Sequence, residues 1–319
     1  FVLLVFKKTM KTARHCRLKL VVYEKDGPRH EEAPLFILGN DETASFNPSW
    51  TRNDLIDQAP MFLSTNGIGG MCRAPLRWGE LAGKYDALLA ANLDQRYPVD
   101  RWIMLTRVRA WTVYQGFSQE ICFHSLDRFW LDDNKGIWRF KVPTGQGQRI
   151  DLTVEVEMLP GQNTVRLSFH RLPARRGKGK LSDRSAVQLI VRPDIEDRNF
   201  HENTKAYQGL EAAWPAASQC RLDAFIFTPS AGRVLTLSIS EGIFVWQPEW
   251  HYMVHRRLEK ERGMDPDSDL WSPGYFSVFL EGGKTAILTA SVNERPSLPG
   301  DVASSVSGKS KSLEKTLRA

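Results

Sequence analysis

Several groups of residues have types and spacings that could do chemistry. Glu155 and Glu157 stand two apart in the alternating run DLTVEVEM, which on a strand puts them on one face at roughly 7 Å, inside the range that paired carboxylates need for glycoside hydrolysis. Nothing near them would raise one pKa above the other, and with Asp151 they make an ordinary solvated face. His251 and His255 are four apart, a metal-ligand spacing, but HYMVH lacks the glutamate of a zinc-protease helix, and no metal site is expected. Arg175, Arg176, Lys178 and Lys180, interleaved with glycine, could hold phosphates; no aromatic stacks within the run, so it reads as a solvated hairpin tip. Trp78, Trp246, Trp250 and Tyr252 could stack on sugar faces, a use that competes with core packing. In RPDIEDRNFHENTK, residues Arg192, Arg198, Asn199 and His201 could all donate hydrogen bonds, with a functional and a merely solvated loop equally open.

The richest stretch is Met61 to Leu93, where Gly67, Gly69, Gly70, Gly79 and Gly83 lie between two apolar segments. The backbone there must make a sterically demanding excursion. Two phosphate-binding readings fail on spacing. The third glycine of a dinucleotide fingerprint would fall on Cys72, and Gly79 with Gly83-Lys84 is one residue short of a phosphate loop, with Tyr85 at the hydroxyl position. No cofactor is expected. What is left is a decorated turn: Asn66, Arg73, Arg77, Trp78, Lys84, Tyr85 and Asp86 are set out as a binding surface.

The elements that must position these residues are mostly short strands. RLKLVV and Leu35 to Leu38 flank a turn at Asp26-Gly27 and read as a hairpin. Glu42 to Gln58 reads as a surface strap. RWIMLTRVRAWTVY, EICFHSL and IWRFKV are three strand-length runs. Leu152, Val154, Val156 and Met158 alternate with polar residues and turn through Leu159-Pro160-Gly161-Gln162 into Val165, Leu167 and Phe169. VQLIV, FIF, VLTLSI and IFVW follow, with a polar insertion between Asp194 and Tyr207. One helix is expected from Met253 to Arg262, stopped by Gly263, and a last hairpin joins YFSVFL to TAILTASV across Gly282-Gly283. Leu81 to Leu93 fits either a helical face or a buried strand. More than ten strands with little helix predict an all-β sandwich of two large antiparallel sheets.

Bulk composition narrows the class. A chain of 319 residues with 42% hydrophobic residues can bury a sizeable core. The net charge of +6 is concentrated in Arg171 to Lys180 and after Lys309, so a nucleic-acid partner is not expected. Cys16, Cys72, Cys122 and Cys220 are scattered, without zinc or redox spacing, which fits reduced thiols in a cytoplasmic protein. No run has the length of a membrane-spanning helix, and FVLLVF is too short for a signal peptide. A start at Phe1 and a Pro, Gly, Ser and Lys-rich stretch from Arg295 suit a segment of something longer, with 296–319 a linker.

Read together, these stretches resemble the N-terminal domain of bacterial and archaeal type glycogen debranching enzymes, the amylo-alpha-1,6-glucosidase group. Phe62-Leu63, Thr65 to Gly70 and Lys84 to Ala91 are similar to that family's T-N-G-L-G-G-Y and R-R-Y-H-G-L-L-V-A-A stretches. Pro98-Val99-Asp100-Arg101 with IMLTR, Arg192-Pro193 with Arg198 and His201, and Glu259, Arg262-Gly263, Asp265, Asp269-Leu270 and Ser272-Pro273-Gly274 are similar to its later motifs. The match runs over about residues 45 to 295, after N-terminal strands in 1–44. Gly83-Lys84 stand where the family has paired arginines, and Asp86 stands where it has histidine.

The resemblance implies a β-supersandwich that precedes a helical toroid holding the hydrolytic carboxylates, and it makes Tyr85 to Ala91 a strand. It implies that this chain is a non-catalytic module of an α-glucan debranching protein, with no catalytic residue of its own. Its partners would be the C-terminal helical glucosidase domain and glycogen or a related α-glucan, with neither nucleic acid nor membrane. Asn66, Arg73, Arg77, Trp78, Lys84, Tyr85, Arg198, His201 and Trp250 are the expected sugar or domain contacts. A stand-alone carbohydrate-binding or scaffolding module is the alternative.

Overall fold

A computed structural model describes residues 14–37, 48–56, 59–94, 96–97, 99–174 and 179–293. They fall into two compact units that divide at Pro48. The smaller holds the expected hairpin, β1 (Arg14–Glu24) paired antiparallel with β2 (Gly27–Ile37). Arg17 and Lys19 on β1 pair with Glu32 on β2 at 2.9 and 3.0 Å, exposed contacts that add little stability.

In the larger unit the strands run β3 (Ser49–Thr51), β4 (Met61–Thr65), β5 (Met71–Pro75), β6 (Ala87–Asn92), β7 (Arg101–Tyr114), β8 (Phe117–Glu120), β9 (Leu126–Asp132), β10 (Lys135–Pro143) and β11 (Arg149–Met158). They continue as β12 (Thr164–Arg171), β13 (Val187–Asn199), β14 (Ser218–Cys220), β15 (Ala224–Ser230), β16 (Arg233–Ile239), β17 (Ile243–His255), β18 (Asp267–Leu280) and β19 (Thr285–Val292). Two short helices, α1 (Leu210–Ala216) and α2 (Arg257–Glu261), interrupt the series.

The strands form two antiparallel sheets. One has the order β14-β15-β16-β19-β12-β11-β10-β9-β3 and the other β17-β18-β13-β7-β6-β5-β4, with β8 paired to β7. This is the all-β sandwich that the alternating runs predict. The core between the sheets is supplied by Trp138, Phe140, Leu152, Val154 and Val156 on one side and Met104, Val108, Leu189, Val191 and Phe276 on the other, all buried. At about 25 cal/mol per Å², burial of such side chains contributes roughly 1.5–3 kcal/mol each.

Four local expectations are corrected. β18 and β19 do not form a hairpin, because each joins a different sheet and the turn at Gly282-Gly283 carries the chain across the sandwich. The helix expected from Met253 begins only at Arg257, since β17 runs on to His255 along its pairing with β18. The strap before Gln58 reaches the core: Leu55 is fully buried and Trp50 packs on Phe129. The polar insertion after Asp194 begins as strand, because β13 continues to Asn199 with Asp194 and Glu196 fully buried. The segment Tyr85 to Ala91 is strand from Ala87 on.

Candidate functional site

The site is built from β13 outward. The Glu196 carboxylate is fully buried, and an ion there is tolerated only with charge partners and a complete hydrogen-bond shell. It has both. Arg198 donates through Nε at 2.7 Å and Nη2 at 3.2 Å, Thr106 Oγ1 at 2.6 Å and Thr204 Oγ1 at 2.8 Å, with Arg256 Nη2 at 3.4 Å. Burial pushes the Glu196 carboxyl up, but the guanidiniums of Arg198 and Arg256 outweigh it and hold the pKa down at about 2.

From this anchor Arg198 reaches two loops. Its Nη2 donates to the carbonyl of Lys84 at 2.7 Å and its Nη1 to the carbonyl of Glu202 at 2.9 Å. Lys84 is buried; its Nζ donates to the carbonyl of His201 at 3.0 Å, and its main-chain N–H donates to Glu259 on α2 at 3.0 Å. The loop before β6, the loop after β13 and α2 are thereby tied into one rigid face. Gly83 belongs to that packing, because a Cβ there would stand 3.2 Å from Glu259 Oε1 and 3.5 Å from Leu258. On the outside, Tyr85 packs on Phe200 at 5.3 Å and on exposed His201 at 5.8 Å, and the Arg262 guanidinium lies 6.0 Å from its ring. Tyr85, His201 and Arg262 are the accessible groups of this face.

Of the nine expected contact residues, the structure brings Lys84, Tyr85, Arg198 and His201 together. Lys84 and Arg198 are interior braces, and Tyr85 and His201 are the accessible tip. Asn66 sits elsewhere, buried inside its own turn: its Oδ1 accepts from the N–H groups of Ile68 and Gly70 at 3.0 and 2.9 Å, and its Nδ2 donates to the Gln162 carbonyl at 2.9 Å. A Cβ on Gly70 would stand 2.5 Å from Asn66 Nδ2, which is why the turn needs glycine. Asn66 therefore shapes the turn and does not face a ligand.

Arg73, Arg77 and Trp78 flank a second feature, a cleft lined by Arg73, Trp78, Glu80, Leu81, Thr106 and Arg107 among others. Trp78 is buried against Trp138 and Phe140. Arg77 braces the preceding segment through the carbonyls of Leu55 and Ile56. Arg73 pairs with fully buried Asp86 at 2.7 Å, and Asp86 also accepts the N–H groups of Ala82 and Gly83 at 2.6 and 2.8 Å. Trp250 lies apart, half-buried at the rim of the sandwich and stacked on Trp214 of α1 at 5.1 Å.

The other constellations are internal. Lys135 bridges Glu155 at 2.8 Å and Glu157 at 3.7 Å. His251 and His255 lie on a strand and engage separate carboxylates, Glu249 and Asp267, both at 3.0 Å. Among the described residues no group of His, Cys, Asp and Glu could hold a metal, and no helix is long and apolar enough to cross a membrane. Arg175, Arg176 and Lys178, and the linker 296–319, lie outside the described residues. The sequence reading missed Glu196, Asp194, Arg256 and Thr106. A signal for β13 was present as far as Val191, where the apolar run VQLIV gives way to Arg192-Pro193-Asp194.

A search of curated proteins returns no match. Among solved structures, one described as "Putative kojibiose phosphorylase from human microbiome" is similar at 9% identity and a TM-score of 0.37, covering 87% of this chain and 35% of that one. The chain thus spans about a third of that protein. The family model described as glycogen debranching enzyme N terminal matches residues 61–287, a range that holds both the Lys84–Arg198–Glu196 anchor and the cleft beside Trp78. The chain belongs to the glycogen debranching enzyme N-terminal family.

Proposed function

We propose that this chain is the non-catalytic β-sandwich module of a cytoplasmic α-glucan debranching protein. It docks a helical glucosidase domain and shapes the glucan-binding cleft with the face that ends in Tyr85, His201 and Arg262. The observation that supports this best is the anchoring of that face. Two loops and a helix far apart in sequence are fixed by Arg198, Lys84 and Glu259 through buried polar contacts, an expensive arrangement for a surface without a use. The accessible groups are two flat rings and a cation, suited to sugar hydroxyls, sugar faces or a carboxylate edge.

The test is enzymatic and genetic. The isolated chain should leave α-1,6-linked malto-oligosaccharides intact, and the coding sequence after Ala319 should encode a helical toroid with an acidic pair. Hydrolysis by the chain alone, or a reading frame without such a domain, overturns the proposal.

A stand-alone carbohydrate-binding module is the second reading. Trp246 is 41% and Tyr252 57% exposed on β17, rings that a glucan could cover. Titrating maltoheptaose against tryptophan fluorescence separates the two: saturable micromolar binding by the chain alone favours this second reading.

A further inference from the structure

The cleft beside β7 holds donors that nothing in the described chain fully uses. Its floor is apolar, made by Ala74, Pro75, Leu88 and Val108, and its polar lining is dominated by Arg73, Arg107 and Trp78. Trp78 is 4% exposed, and its buried indole N–H has no acceptor among the described residues. Such an orphan is destabilising unless something binds it. Arg73 places only Nη1 on Asp86, at 2.7 Å. Arg107 places Nε on Asp194 at 2.7 Å and Nη1 on the Gly79 carbonyl at 3.1 Å. Among the described residues this leaves Arg73 Nε and Nη2 and Arg107 Nη2 without a partner. Glu80 also lines the cleft, but its carboxylate is 3.8 Å from the Arg77 guanidinium, which offsets its charge.

We propose that this cleft is a socket for a single carboxylate, held by Arg73, Arg107 and the Trp78 indole N–H, and that the carboxylate is an acidic side chain of the docked glucosidase domain. The choice of an acceptor-only group follows from the lining, in which Arg73, Arg107 and Trp78 carry N–H donors beside an apolar floor. The choice of a side chain over a free metabolite follows from size. The cleft is open, and the space in it that the centre of a water-sized group can occupy is about 20 Å³, far short of the room that buries a whole small ligand. A carboxylate on a short apolar stem, carried by a larger body, fills it without needing that enclosure. The second half of the proposal rests on the docking role above; the first does not.

The test uses sodium propionate as probe and the indole N–H resonances of the 15N-labelled chain as readout, with the Trp78 signal assigned as the one lost in Trp78→Phe. Propionate should shift that signal saturably, with Kd on the order of millimolar for so small a contact, while equal sodium chloride leaves it in place. Arg73→Gln should weaken propionate at least fivefold. If that variant loses the dispersion of its other indole signals, calorimetric titration of propionate into Trp78→Phe takes its place, with the same weakening expected. No shift, an equal shift with chloride, or a shift with methyl α-glucoside instead of propionate overturns the socket. In the longer protein that carries the next domain, the Trp78 signal should already sit at the propionate-bound position and ignore added propionate. A signal that still responds overturns the docked side chain as source, whatever the outcome for the docking role itself.

Discussion

Arg198 on β13 donates through Nη2 to the main-chain carbonyl of Lys84, 2.7 Å away and 114 residues earlier in the chain. The same guanidinium holds the buried carboxylate of Glu196, so one side chain neutralises an interior charge and fixes the loop that presents Tyr85. Removing it leaves Glu196 with only a 3.4 Å contact from Arg256 as charge partner. Arg198→Gln should therefore destabilise the chain by about 3–5 kcal/mol, read as a lower urea midpoint at unchanged m-value. Arg198→Lys should recover only part of the loss, because an ammonium cannot reach both the carboxylate and the Lys84 carbonyl with fork geometry.

That relationship also marks where sequence reading stops. The two sheets were legible because runs such as Leu152 to Met158 alternate cleanly, and a half-buried strand requires that alternation. β13 was legible only as far as Val191. Beyond it the interior residues are Asp194, Glu196 and Arg198, whose types signal solvent, and only the structure shows that partners from β7, α2 and the loops neutralise them. The burial of Trp78 and Asn66 was not legible for a related reason. Residue type does not distinguish an aromatic that caps the core, or an asparagine that closes its own turn, from one that waits for a ligand. Tyr85 and His201 belong to two separate sequence motifs, and only the structure shows their contact, which joins two loops that no local pattern connects.

Asn66 gives a sharp test of that distinction. Its amide closes the glycine turn through Ile68 and Gly70 and ties it to Gln162. Asn66→Ala removes these contacts and leaves buried N–H groups without acceptors. A loss of about 2–4 kcal/mol is expected. Chemical denaturation measures it directly, and a loss below about 0.5 kcal/mol would return Asn66 to the list of surface residues.

Asp86, where the resemblance puts a histidine, has a structural role of its own in this chain. One carboxylate clamps Arg73 and the N–H groups of Ala82 and Gly83. Asp86→His cannot accept all three. The variant should lose about 3 kcal/mol and show faster hydrogen exchange at Ala82 and Gly83, whereas exchange in β11 and β12 should follow only the global loss.

The pH dependence has a definite sign. Glu196 has a folded pKa of about 2, below the ordinary value of 4.5, so its contribution to stability is complete above pH 4.5 and is lost as pH falls toward 2. Asp86 acts in the opposite sense, because burial lifts its carboxyl above the usual value against the pull of Gly83, Arg73 and Ala82. Glu196→Gln should consequently flatten the acid limb of a stability profile measured between pH 5 and pH 2. On the alkaline side, burial pushes the Cys72 thiol from 9.0 up to about 12. Stability should decline above pH 9, and Cys72→Ala should remove that slope at the cost of a small cavity. An unchanged slope in either variant would reassign the titration.

The accessible tip separates function from fold most directly. Tyr85 is half-exposed, and its hydroxyl lies 3.4 Å from His201 Nδ1, a contact too long to hold much of the fold. The braces beneath it, Lys84 and Arg198, make their bonds without the Tyr85 side chain. Tyr85→Ala and His201→Ala should thus each cost no more than about 1 kcal/mol, seen as a small shift in Tm. On the proposed docking role, the same variants in the longer protein should lower kcat/KM on branched glucan by roughly tenfold, the equivalent of about 1.4 kcal/mol of transition-state stabilisation. Kinetics that remain at the parent level while stability holds would show that this face meets neither glucan nor glucosidase domain, and would shift the search for the contact to the rim formed by Trp246 and Tyr252.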